Sequence, residues 1–162
     1  MIEESEVGVQ TAVLGFTLRL LAGGPTAVEA LARSGLLEKS ISNDSPWDEN
    51  DLLRIASLRD GFVVIGYFHG GSAGFMLGQM HAVGRGKVHL FLHRIWTQGK
   101  PEWSREADRF IDGVARSLGC DAISGIVPDR IVRAIVRRYG FERKGVLVMR
   151  ELSNVLAEVS VP

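Results

Sequence analysis

The middle of the chain constrains the fold most. Phe62-Val63-Val64-Ile65-Gly66-Tyr67-Phe68 is β-branched and aromatic, and it runs directly into His69-Gly70-Gly71-Ser72. Short glycine-rich connections of this kind join antiparallel strands, because their central residues take up positive φ. Ala73 to His81 reads as the returning strand, Val83-Gly84-Arg85-Gly86-Lys87 as a second turn, and Val88 to Trp96 as a third strand. Strands joined this tightly are antiparallel neighbours, so the rest of the chain must be arranged around a sheet. If the second turn centres on Arg85, residues equidistant from it face each other and His81 lies opposite His89.

Both flanks carry helical periodicity. Val9, Val13, Phe16 and Leu20 recur at helical spacing before Gly23-Gly24-Pro25 stops the run. Thr26 and Glu29 match a capping box ahead of Ala27–Arg33, with Gly35 as the C-terminal turn. Ser45, Pro46 and Asp48 predict a further helix start. Leu52, Leu53, Ile55, Ala56 and Leu58 form that helix's apolar face, and Asp60-Gly61 ends it. On the other side, Trp103, Ala107, Phe110, Ile111, Val114, Ala115 and Leu118 describe an amphipathic helix ended by Gly119. Asp121–Val127 reads as a strand. Pro128 opens a helix with Ile131, Val132, Ile135, Val136 and Tyr139 on one face, and Gly140 ends it. Gly145–Arg150 reads as a closing strand.

The predicted order is three helices, three strands, then helix, strand, helix, strand. This is an α+β fold: a mixed, mainly antiparallel sheet flanked by helices. The expected organisation is a single domain over 1–152, with a mainly helical part over 1–60, a core over 61–152 and a tail over 153–162.

Composition narrows the function classes. Hydrophobic residues make up 46% of 162, enough for a substantial core, which excludes general disorder. No apolar run approaches the roughly 20 residues of a membrane span. The opening Met1-Ile2-Glu3-Glu4 does not read as a secretory leader, so a cytoplasmic location is expected. One cysteine, Cys120, excludes an internal disulfide framework and a cysteine-cluster zinc site. Net charge is zero, yet residues 1–60 hold five Lys/Arg against ten Asp/Glu, and residues 61–162 hold 14 against nine.

The core resembles the GCN5-related N-acetyltransferase fold. Ser72-Ala73-Gly74-Phe75-Met76-Leu77 is similar to the family's third-strand pattern, and Tyr139-Gly140-Phe141 is similar to its closing "G-F" signature. The likeness covers about residues 61–152. The family opens with a strand, which would fall within Val9–Leu21, so helix and strand readings of that segment both stand.

The resemblance implies acetyl-CoA as cofactor. Its pyrophosphate is bound by a loop of type R/Q-x-x-G-x-G/A at a helix N-terminus, where N–H groups and the helix dipole attract anions. The corresponding stretch is Gln98-Gly99-Lys100-Pro101-Glu102-Trp103-Ser104. Pro101 lacks an N–H and Glu102 adds a negative charge, so the loop is degenerate. The resemblance implies cofactor contacts at Phe91, Leu92 and His93 and at Gln98, Gly99 and Lys100. It makes His89 or His93 the candidate base and Tyr139 the candidate acid. The family's frequent Asn and Tyr positions fall on Asp129 and Val136.

Two function classes follow. The first is a non-catalytic binding or assembly module on this fold, using no cofactor, for instance a virion-associated component; the degenerate loop favours it. The alternative is an active acyl-CoA-dependent N-acetyltransferase with an atypical loop. Arg130, Arg133, Arg137 and Arg138 are the candidate partner-binding residues, within a run from 130 to 150 of seven cations and one acid. A protein partner or a second copy is the expected occupant. Nucleic acid is less favoured, because no aromatics interleave the patch. His81 opposite His89 offers only two ligands, and His93 lies about 13 Å from His89 by strand rise, so no metal is expected. Trp96 and Trp103 are read either as core or as filling the slot where CoA would lie. Nothing in the sequence activates Cys120 as a nucleophile.

Overall fold

A computed structural model describes residues 7–10, 15–41, 47–98, 100–127, 129–145 and 150. Both tight turns form as their glycines require. His69 and Gly70 have φ of 49° and 82°, and Arg85 and Gly86 have 53° and 71°. Two successive positive-φ residues match the twist of the strands they join. These turns connect β3 (Gly61–Phe68), β4 (Gly71–Gly84) and β5 (Lys87–Thr97) into an antiparallel meander.

The helical reading of Val9–Leu20 is overturned. This segment supplies β1 (Val7–Gln10) and β2 (Phe16–Ala22), an antiparallel pair whose second strand lies along β3 from Phe16↔Phe68 to Ala22↔Phe62. Val9, Phe16 and Leu20 also fit a helix, but buried Phe16, Leu18 and Leu20 alternate with half-buried Thr17 and exposed Arg19. That is the period of a strand with one face on a core. Val13 lies outside the described residues.

The chain then forms α1 (Pro25–Arg33), α2 (Leu37–Ser40) and α3 (Glu49–Ser57) before β3. The Thr26–Glu29 capping box does not form. Gly24 is the N-cap of α1, with Pro25 in the first turn. Gly23 must be glycine, since a Cβ there would stand 1.8 Å from the Leu58 carbonyl oxygen. Asp48 caps α3 in a reciprocal box with Asp51. The predicted starters Ser45 and Pro46 lie outside the described residues. Leu52, Ile55 and Ala56 are buried as expected, whereas Leu58 is exposed.

After β5 come α4 (Pro101–Ser117) and β6 (Ala122–Gly125), which pairs parallel to β5. The sheet order is β1-β2-β3-β4-β5-β6, antiparallel except for that last pair. The α+β class holds. β3 is buried on both faces, with Phe62, Val63, Val64 and Ile65 each at most 1% exposed. Phe62 and Val64 join Leu18, Met76 and Leu90 beneath Trp103, Ile111 and Val114 of α4. Val63 and Ile65 join Phe75 and Leu77 beneath Leu31, Leu52, Ile55 and Ala56. The helices thus cover opposite faces, which is why β3 reads as a continuous apolar run.

The described chain divides into two compact units, one ending at Ile126 and one beginning at Val127. In the second, α5 (Asp129–Tyr139) presents Arg130, Arg133, Arg137 and Arg138 as exposed side chains and is followed by Gly140 at φ 69°. The predicted closing strand Gly145–Arg150 and the tail fall mostly outside the described residues. No helix among the described residues is long and apolar enough to cross a membrane.

Candidate functional site

The site begins at an irregularity of the β4–β5 ladder. Gly78 pairs with Leu92 and Leu77 with Arg94, which leaves His93 unpaired in a β-bulge on β5. Bulges re-aim a side chain and bend the strand. The β5–β6 pairing runs from His89↔Ala122 to Leu92↔Gly125 and ends there, while β5 continues to Thr97. The two strands therefore part at the bulge. Their shared start is fixed by Asp121, whose carboxylate accepts from the Val88 N–H and whose own N–H donates to the Val88 carbonyl, each at 2.8 Å.

The predicted His81↔His89 register is observed. The side chains nonetheless find other partners. His89 Nδ1 meets Ser124 Oγ at 3.3 Å. His81 stacks on Phe91 with ring centroids 4.8 Å apart, and meets His93 edge-on at 5.8 Å. Gln79 joins the two imidazoles: its Oε1 lies 3.0 Å from His81 Nε2 and 3.2 Å from His93 Nε2. The Gln79 amide nitrogen donates in turn to both carboxylate oxygens of Asp60, at 3.0 and 3.1 Å. Asp60 is tied to the same strand, because its carbonyl accepts from the Met80 N–H. Trp47 and Phe91 stand edge-on to the His93 ring.

His93 is half-buried, and its pKa lies below the ordinary histidine value. Burial is the larger cause and the neighbouring His81 the smaller. Both effects disfavour the imidazolium. At neutral pH the ring is a free base with a hydrophobic flank, suited to removing a proton from an incoming group.

The start of α4 is built differently. The Gln98 N–H donates to the Ala73 carbonyl, and the Trp103 and Ser104 N–H groups both turn to the Lys100 carbonyl. Pro101 has no N–H, no side chain caps the helix, and Glu102 occupies the first turn. The Lys100 ammonium sits 5.1 and 5.3 Å from the Phe68 and Trp103 ring centres. Trp103 is 7% exposed and stacks on Phe16 at 5.3 Å, so it is a core residue. Trp96 packs beside the core under α1–α3. Gly99 lies outside the described residues.

The remaining candidates lie elsewhere in the chain. Tyr139 belongs to the second unit, as do the α5 arginines. The Cys120 thiol is pushed up by burial and by Asp121, which favours the unreactive protonated form. Among the described residues no group of three or more His, Cys, Asp or Glu could hold a metal ion. Gln79 and Asp60 were not expected from the sequence. The hairpin register places Gln79 on the same strand face as His81, so half of that signal was present.

No family model matches the sequence, and no curated protein matches it. Solved structures do. A GNAT family acetyltransferase from Staphylococcus aureus superposes with TM-score 0.64 at 15% identity, covering 86% of this chain and 100% of the other. The chain has the GCN5-related N-acetyltransferase fold. An aminoglycoside N-acetyltransferase in complex with CoA matches with TM-score 0.62 at 13% identity, over 94% of this chain and 99% of the other. Glucosamine-6-phosphate N-acetyltransferase from Arabidopsis thaliana gives 0.60 at 14%, over 85% and 99%. At these identities the likeness carries the fold.

Proposed function

We propose that the protein is an acyl-CoA-dependent N-acyltransferase that holds its acyl donor weakly, with His93 as the base. The observation that carries this reading is the unpaired His93 on the β5 bulge. Burial and His81 hold its pKa below the ordinary histidine value, and it stands where β5 and β6 part. Acetyl-CoA would supply an acyl group activated as a thioester, whose C–S bond is exchanged for a C–N bond to the amine with release of the thiol. The strand end suits that donor, since the β5 backbone beyond Leu92 has no β6 partner; of the candidate contacts Phe91, Leu92 and His93, His93 lies in that stretch, while Phe91 and Leu92 pair with Ser124 and Gly125. The helix end suits it poorly, and Gln98, Gly99 and Lys100 are its candidate phosphate contacts.

His93 accepts the proton that the amine loses as its nitrogen becomes acylated. Tyr139 is the candidate donor of a proton to the departing thiolate. The acceptor is an amine, a class that includes the aminoglycosides and amino sugar named for the similar structures. Thiol release from acetyl-CoA, followed across a panel of such amines, tests the reading. Amine-dependent release that falls by about 10²-fold or more in His93→Ala supports it. Absence of release with every amine, together with no heat on titration with acetyl-CoA, overturns it.

The start of α4 favours a second reading, a non-catalytic binding or assembly module such as a virion-associated component. Pro101, Glu102 and the internally bonded Trp103 and Ser104 leave few donors for a pyrophosphate. In that reading Arg130, Arg133, Arg137 and Arg138 meet an acidic partner or the acidic first third of a second copy. Charge reversal of Arg133 and Arg137 together then lowers the mass measured by light scattering at low salt, with the fold retained. A monomer at every concentration and salt, with no partner recovered from the native source, removes this reading.

A further inference from the structure

The Asp60–Gln79 pair has a consequence for the proton positions on two histidines. An ionised carboxylate only accepts hydrogen bonds. The Gln79 nitrogen therefore faces Asp60, at 3.0 and 3.1 Å, and its oxygen faces the imidazoles. An amide oxygen has no proton to give. Its two close contacts, His81 Nε2 at 3.0 Å and His93 Nε2 at 3.2 Å, are hydrogen bonds only if both Nε2 atoms carry the proton. A neutral imidazole has one N–H, so Nδ1 of each ring holds the lone pair.

We propose that Gln79, clamped by Asp60, is a positioning residue that locks His81 and His93 together in the Nε2–H tautomer, so that Nδ1 is the proton-accepting atom of both. Its part in proton transfer rests on the acyltransferase reading; the tautomer lock does not. The single amide oxygen also holds the two rings side by side, and the neighbouring His81 adds to burial in disfavouring a proton on His93. Either imidazolium can still donate to Gln79, but a second positive charge would stand beside the first. His89 faces His81 across the ladder on the same sheet face, and Arg94 follows His93 on β5 with its guanidinium bonded to the Ser40 carbonyl. Among the described residues, the Asp60 carboxylate is bonded to the Gln79 amide that holds both rings. Trp47 and Phe91 contribute uncharged rings.

The experiment is long-range 1H–15N correlation of the histidine rings above pH 7, on wild type, Gln79→Leu, Asp60→Asn and Gln79→Glu combined with Asp60→Asn. Wild type should show the Nε2–H pattern at both His81 and His93. Gln79→Glu should keep that pattern when combined with Asp60→Asn, because a carboxylate still accepts from both rings and the asparagine amide can donate to it where the Asp60 carboxylate would repel it. Gln79→Leu should show a tautomer mixture at both rings. It should also lower kcat for acyl transfer by about tenfold at near-constant KM, a share of what a general base contributes. Asp60→Asn should shift the pattern part-way, since an asparagine lets the Gln79 amide turn. An Nδ1–H pattern or a mixture at either ring in wild type overturns the lock, and so does a Gln79→Leu spectrum unchanged from wild type. If wild type shows the lock but acylates no amine, the acyltransferase reading fails and the lock stands. If it acylates amines without the lock, only the lock fails.

Discussion

The β5 bulge and the start of α4 lie a few residues apart in sequence, yet they serve the proposed chemistry unequally. At the bulge the requirements are met by backbone: a ladder that skips His93 and a parallel partner that ends at Gly125. At α4 the requirement falls on particular residues that must leave N–H groups free, and Pro101 and Glu102 do not supply this. Sheet topology is held by the whole core, so it tolerates wide sequence change. A phosphate-binding turn depends on a few backbone donors and is undone by one proline.

The largest effect is expected from Gly78→Val, which breaks the strand side of this comparison. A Cβ at Gly78 would lie 2.3 Å from Phe62 Cζ and 2.6 Å from the Phe91 carbonyl oxygen. Neither can move far, since Phe62 is wholly buried and the oxygen is in the ladder. Loss of more than about 4 kcal/mol, the range of severe core lesions, should appear as a protein unfolded or strongly destabilised in urea. A cooperative transition at the wild-type midpoint would show that the ladder is not held as tightly as the register implies.

The next effect sharpens the comparison from the other side. Replacing Pro101 with Gly and Glu102 with Ala restores one N–H and removes the charge opposing a pyrophosphate. Calorimetry should show wild type binding acetyl-CoA no more tightly than about 10 μM, near −7 kcal/mol. The double variant should bind about tenfold tighter, as one hydrogen bond to a charged group allows. Equal affinity in the two proteins would mean that α4 takes no part.

The smallest effect concerns stability against pH. Burial and His81 lower the pKa of His93 from its ordinary 6.5. Below that value the unfolded chain binds the proton first, so stability falls as pH drops from about 6.5 towards the folded pKa and levels off beneath it. Above it both states are neutral and the group contributes nothing. In thermal melts from pH 7.5 to 5, His93→Ala should decline less steeply than wild type. Parallel curves would contradict a buried, neutral His93.

Much of the fold was legible because glycine marks it. His69-Gly70 and Arg85-Gly86 fixed the meander and its register, and Gly119 and Gly140 follow α4 and α5 where expected. The N-terminal strands were legible only through the family resemblance, which put a strand within Val9–Leu21; Phe16 and Leu20 suit either period, and the exposed Arg19 between buried Leu18 and Leu20 decides for a strand. At the site, His81, His89 and His93 could be placed on one face of the sheet. The bulge that brings His93 to His81 carries no residue signature, because any side chain can be the extra one in a strand. Asp60 was read as a helix stop, and its role depends on a side-chain bond to a strand that follows later in the chain.

In the proposed reaction His93, kept neutral, removes the proton from an amine as it is acylated. The most direct measurement is the pH dependence of kcat/KM for acyl transfer in wild type and His93→Ala. The wild-type rate should rise through an apparent pKa below 6.5, the ordinary histidine value. This limb should be absent from His93→Ala, whose rate at pH 7.5 should be lower by about 10²-fold or more. A His93→Ala profile that keeps the same limb at an undiminished rate would contradict it.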